Sequence, residues 1–201
     1  MLGQLVHKIA FSIVQFVAPS FGESEGRSFY EKNRNIEAGF RPGLITDQRM
    51  LSEMTYGDTD VGNTGCEAVA LYNALMLKGR PKPLTDIIHD LQESQTLINR
   101  GRWGTNPYKM KQIMDEYGLI YETIESIEEA ETKIRSGEML LVTVWNHWKK
   151  PLRGIHGYLI LMRGESDFYM FNRNYRKKPE HANSLKEAIG DGRYIVGYLI
   201  R

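Results

Sequence analysis

The stretch Asn63-Thr64-Gly65-Cys66-Glu67-Ala68-Val69-Ala70-Leu71-Tyr72-Asn73-Ala74-Leu75 decides the reading of this chain, because it sets the only cysteine at the head of a strongly apolar run. Apolar residues fall nearly all round a helical wheel here, and such a helix is normally buried. Thr64 and Glu67 stand in the Thr-x-x-Glu relation of a capping box, so we expect Thr64 to be the N-cap and Cys66 to lie in the first helical turn. Backbone N–H groups of a first turn lack intrahelical acceptors, and the helix dipole favours negative charge there, so a thiol at that address tends toward thiolate. A buried structural cysteine is the bland alternative.

Working outward, Gly79 and Pro81 end the central helix, and Thr85 is the expected cap of a short helix after it. Thr105-Asn106-Pro107 starts another, Gly118 stops it, and Ser126 with Glu129 and Ser184 with Glu187 mark two more capping boxes. From Met139 onward the period changes to that of strands, over residues 140–145, 157–162, 168–172 and 194–200, with an earlier short strand at 120–124. The short link at 164–167 closes an antiparallel hairpin. The expected fold class is therefore α+β, with a central buried helix carrying Cys66 packed on a mostly antiparallel sheet.

Toward the N-terminus, residues 21–34 are rich in Gly, Ser and charge and read as a linker, and residues 35–62 read as loops. Residues 2–18 form an amphipathic pattern that we read as a docking helix, so the expected division is residues 1–34, helix and linker, and residues 35–201, the main domain. We expect a cytoplasmic chain, with secretion the alternative if residues 1–20 act as a signal peptide.

Twenty-six Lys plus Arg against twenty-five Asp plus Glu leave a net charge of +1, which argues against nucleic acid or an anionic membrane as partner. No apolar run reaches the length of a membrane span. One cysteine forbids an intrachain disulfide framework, and five scattered histidines offer no ligand pair, so we expect neither metal nor cofactor.

A cysteine nucleophile needs a base and a group to orient that base. His156 stands at the start of the strand Gly157-Tyr158-Leu159-Ile160-Leu161, and Asn172 ends the neighbouring strand, so the hairpin brings the two toward one end of the sheet. We expect the Asn172 side-chain carbonyl to accept from the imidazole. His147 is the rival base and Asn174 the rival for Asn172.

With these residues in place, the chain resembles the papain-like cysteine peptidases, and within them the bacterial peptidase domains that trim double-glycine leaders from bacteriocin precursors. The resemblance rests on Gly65-Cys66-x-Ala68, His156-x-Tyr158 with its aliphatic run, and the strand-loop-strand ending in Asn172, and covers about residues 63–201. It implies a papain-like fold, a Cys66–His156–Asn172 triad and hydrolysis or transfer at an amide of a peptide or protein substrate. Where the family has a glutamine six residues before the cysteine as oxyanion donor, this chain has Asp60, whose charge would repel an oxyanion. The donor role passes to Asn63 and the Cys66 backbone N–H. An acyltransferase or transglutaminase-like enzyme, and a catalytically silent binding protein on the same scaffold, are the alternatives.

Overall fold

The computed structural model describes residues 21–146, 154–174, 176–190 and 194–201. In chain order these form α1 (Glu23–Glu37), the hairpin β1 (Thr55–Tyr56) and β2 (Thr59–Asp60), the single-turn α2 (Val61–Thr64), α3 (Cys66–Leu77) and α4 (Leu84–Glu93). There follow α5 (Met110–Glu116), β3 (Tyr121–Ile124), α6 (Ile127–Lys133), β4 (Met139–Trp145), β5 (Ile155–Gly164), β6 (Asp167–Phe171), β7 (Glu180–Ala182), α7 (Leu185–Ile189) and β8 (Tyr194–Ile200). The expected docking helix lies outside the described residues.

The main sheet has the order β3-β8-β4-β5-β6-β7, and every neighbouring pair is antiparallel. Because strand side chains alternate between faces, the aliphatic runs of β4 and β5 supply two cores at once. Leu141, Leu159, Leu161, Phe171, Val196 and Tyr198 face α3 and the helices around it. Leu140, Val142, Tyr158, Ile160, Met170 and Leu199 face α6 and α7 on the other side. Six of the seven β4 residues are buried, so the strand reads as a continuous apolar run instead of an alternating one. The α+β architecture is thus the one expected, with the Cys66 helix lying against an antiparallel sheet.

Residues read as linker form most of α1. The Gly-, Ser- and charge-rich composition hid an amphipathic helix that packs on α4, burying Gly26 and Asn33. Asn33 clasps the β1 edge: its Nδ2 donates to Thr55 O at 2.8 Å, and its Oδ1 accepts the Thr55 N–H at 2.7 Å. Glu37 accepts the N–H groups of Leu84 and Thr85 at 2.6 and 2.9 Å, so α4 is capped from another helix and not by Thr85. Its carboxylate meets two first-turn donors that have no intrahelical backbone acceptor.

The capping box at the central helix is also corrected. Asp60 caps α2, accepting the Asn63 N–H at 2.9 Å, and the chain passes through Gly65 into α3 with no side-chain cap. Thr64 turns back to the Asp60 carbonyl, and Glu67 is buried in the interior. Cys66 keeps its first-turn address. The Ser126 and Ser184 caps are as read, each accepting an N–H from the glutamate three residues on, at 3.1 Å. β7 had no reading in the sequence, being three residues long with one of them buried.

Replacing Asn33 by alanine removes both backbone bonds of the clasp. Urea denaturation is expected to show a loss of about 1–3 kcal/mol.

Candidate functional site

Cys66 opens α3 and is only 5% exposed. Its thiol donates to Glu67 Oε2 at 2.9 Å, and the other carboxylate oxygen, Oε1, accepts from Thr143 Oγ1 at 2.8 Å. The Gly157 backbone N–H favours the charged form of the sulfur. Gly157 also makes room for the carboxylate, since a Cβ there would overlap the Glu67 oxygens and carboxyl carbon. Helix, central strand and neighbouring strand therefore meet on one buried thiol–carboxylate pair.

Burial dominates the electrostatics of this pair. It pushes the Glu67 carboxyl up to about 7, against the donations from Cys66 and Thr143 that favour its charged form. It also pushes the Cys66 thiol well above its ordinary value, an effect that the Glu67 charge and the thiol's own donation to it reinforce; the backbone N–H donors of Gly157 and Glu67 pull the other way. The expected lowering by the helix start is overwhelmed, because two negative charges cannot share one dry site.

His156 occupies the next position along β5 and so points to the opposite face from Gly157. Its ring stacks on Tyr158, centroids 5.7 Å apart, and Tyr158 OH donates to Ala188 O of α7 at 3.0 Å. Nε2 lies 2.5 Å from the backbone oxygen of Asn172. Burial lowers the His156 pKa, offset in part by contacts with the Asn172 and Arg173 backbones, so the ring is held toward its neutral form. The structure thus brings His156 and Asn172 together, through the main chain where we expected the side chain. It does not bring the Cys66 thiol onto the imidazole, for that hydrogen goes to Glu67.

The Asn172 side chain has another task. Asn172 adopts φ +67°, a left-handed conformation that asparagine tolerates better than most residues, and the turn buries its amide. Its Nδ2 donates to Gln48 Oε1 at 2.7 Å, and its Oδ1 accepts the Gln48 N–H at 2.9 Å. Gln48 Nε2 donates in turn to Val61 O and Gly62 O at 3.2 and 3.0 Å, in the turn that leads to Cys66.

Asn63, the expected oxyanion donor, is exposed, and its Nδ2 donates to Asp60 Oδ2 at 2.6 Å, which leaves Asp60 as a local cap. Asn174 is exposed and bound to Glu180 through both its backbone and its side-chain nitrogen, so it is not the partner of His156. His147 lies outside the described residues. Among the described residues no cluster of His, Cys, Asp and Glu has the form of a metal site, and no helix is long and apolar enough to cross a membrane.

Gln48, Glu67 and Thr143 are the site residues that the sequence reading missed. Glu67 carried a signal: a helix apolar all round its circumference leaves a glutamate on it nowhere to go but inside. Gln48 and Thr143 carry no local signal, because tertiary packing alone puts them there.

The Glu67 carboxyl binds its proton more tightly in the folded state than its ordinary value of 4.5 allows in the unfolded chain. Its contribution to stability therefore falls as pH rises from about 4.5 to about 7, by on the order of 3 kcal/mol. His156, with its folded pKa lowered, acts in the opposite sense, favouring the unfolded state as pH falls below its ordinary value of 6.5. Denaturation of wild type and Glu67→Gln across this range separates the two: the difference between them is expected to carry the Glu67 slope, with wild type losing ground to the variant as pH rises.

Neither a protein-family model nor a curated protein matches this chain. Among solved structures it is similar to the peptidase domain of Streptococcus ComA, a bi-functional ABC transporter involved in a quorum-sensing pathway. That likeness has a TM-score of 0.48 and 13% identity, covering 67% of this chain and 90% of the other. At that score the likeness carries no argument about the site; the α+β assignment rests on the strand pairing and helix packing described above.

Proposed function

We propose that this chain is a cysteine peptidase-like hydrolase that acts on a peptide or amide bond, with Cys66 as nucleophile and His156 and Asn172 as the remaining members of its site. The observation that carries this reading is the packing of Gly157 on the Cys66–Glu67 pair: a Cβ there would overlap the carboxylate that accepts the Cys66 thiol hydrogen. Gly157 follows His156 directly, so the histidine's backbone lies beside this pair although His156 is 90 positions from Cys66 in sequence. The contact of His156 Nε2 with the Asn172 carbonyl supports the second pairing. In the reaction the sulfur attacks a carbonyl carbon, the amine leaves, and water or a second amine resolves the thioester. With a peptide or protein as substrate, resolution by water gives hydrolysis and resolution by an amine gives acyl transfer.

A second reading has its own support. The thiol is buried, it donates to Glu67, and the imidazole stands on the other face of the sheet. These features fit a binding protein that keeps the scaffold without turnover.

Mass spectrometry of a peptide mixture incubated with the protein, with hydroxylamine present to intercept a thioester, separates the two. The proposal expects new peptide termini or hydroxamates, and loss of both by about 1,000-fold or more in Cys66→Ala. Intact peptides and no hydroxamate with the wild-type protein would establish the silent scaffold instead.

A further inference from the structure

The geometry points to Glu67 as the catalytic residue that takes the proton from the Cys66 thiol. This inference rests on the reading of Cys66 as a nucleophile and deepens it by naming the proton acceptor. The carboxylate already receives the thiol hydrogen at 2.9 Å. It is fixed from behind by Thr143 Oγ1 at 2.8 Å, and it fills the space that Gly157 leaves by having no side chain. A base held in contact with its proton donor by two strands and its own helix needs no rearrangement before reaction. The imidazole, by comparison, is engaged with the Asn172 carbonyl and stacked on Tyr158.

Charge conservation favours this assignment. As the S–C bond forms, the S–H bond breaks and the proton passes to Glu67 Oε2, so one negative charge moves from carboxylate to developing oxyanion. When the C–N bond breaks, the leaving amine takes that proton back from Oε2, leaving a thioester and a carboxylate. Water then attacks the thioester, gives a proton to Glu67, and the departing sulfur recovers it. The dry site holds one negative charge throughout and never two, which a buried environment demands. Glu67 near 7 is poised for both halves of the cycle at neutral pH.

The titratable groups facing this carboxylate are Cys66 on its own helix, Tyr56 on β1 and Tyr198 on β8. Thr143 on β4 and Gly157 on β5 contribute no charge. Burial raises both tyrosines far above neutrality, where they stay protonated; Tyr56 OH pairs with Thr105 Oγ1 and Tyr198 OH donates to Pro107 O at 2.7 Å. Of these facing groups Glu67 alone titrates near 7, and His156, whose pKa lies below 6.5, is separated by its own variant.

The test is the rate of Cys66 alkylation by iodoacetamide as a function of pH, a reaction in which the sulfur loses the same proton and no substrate need be known. Wild type is expected to show a rising limb centred at about 7. Glu67→Gln should abolish that limb and slow alkylation above it by about 100-fold. Thr143→Val, which removes one donor to the carboxylate while preserving side-chain shape, should shift the limb to higher pH. Thermal melts confirm that each variant is folded, and Thr143→Val keeps the test decisive if Glu67→Gln does not fold. A limb unmoved in both variants, or one lost in His156→Gln and kept in Glu67→Gln, overturns the assignment to Glu67 while leaving Cys66 as nucleophile. A native thiol that reacts only after denaturation overturns the nucleophile reading and the Glu67 assignment together.

Discussion

One carboxylate, buried under the head of the central helix, holds the middle of this structure together. Glu67 joins α3 to β4 through Thr143 and fills the gap above Gly157 on β5, while holding the thiol beside it. A carboxylate taken out of water is costly unless its lone pairs are met. The surrounding residues fit that requirement: a hydroxyl on one oxygen, a thiol on the other, and a glycine where any side chain would collide. Helix and sheet are thereby registered against each other at the point where the candidate chemistry lies, whereas the aliphatic contacts of the same interface are interchangeable by comparison.

Around that pair the fold is a sheet with a core on each face, and this explains why the two halves of the expected triad are hard to join. Alternation along β5 sends Gly157 toward α3 and His156 toward α7. The histidine is close to the thiol through its peptide bond and remote from it through its ring. Asn172 divides in the same way, giving its carbonyl to His156 and its amide to Gln48.

What was legible in the sequence followed from local physics. Aliphatic and β-branched runs gave the strands of the sheet, Ser126 and Ser184 gave true caps, and the apolar stretch after Cys66 gave the buried helix. The errors share one cause, that a local pattern had a tertiary owner. Thr64 and Glu67 have the spacing of a capping box, but Asp60 starts the helical path one turn earlier and frees Glu67 for the interior. Thr85 has the address of a cap, but Glu37 reaches across from α1 to fill it. Asn63 has the address of an oxyanion donor, but its amide is tied to Asp60. No window of a few residues contains Gln48 and Asn172 together, so no periodicity could have paired them.

The pairing of Gln48 with Asn172 spans 124 residues, and it braces the turn on which Cys66 sits. Order of assembly follows from that span. During synthesis the cysteine and its helix leave the ribosome with more than a hundred residues still to come, including β4, β5 and the strand end at Asn172. Contacts so distant along the chain close late, since their loop entropy is met only after nearer contacts have formed. The helix can thus form early, whereas the burial that raises the Cys66 thiol waits for strands far downstream in the chain.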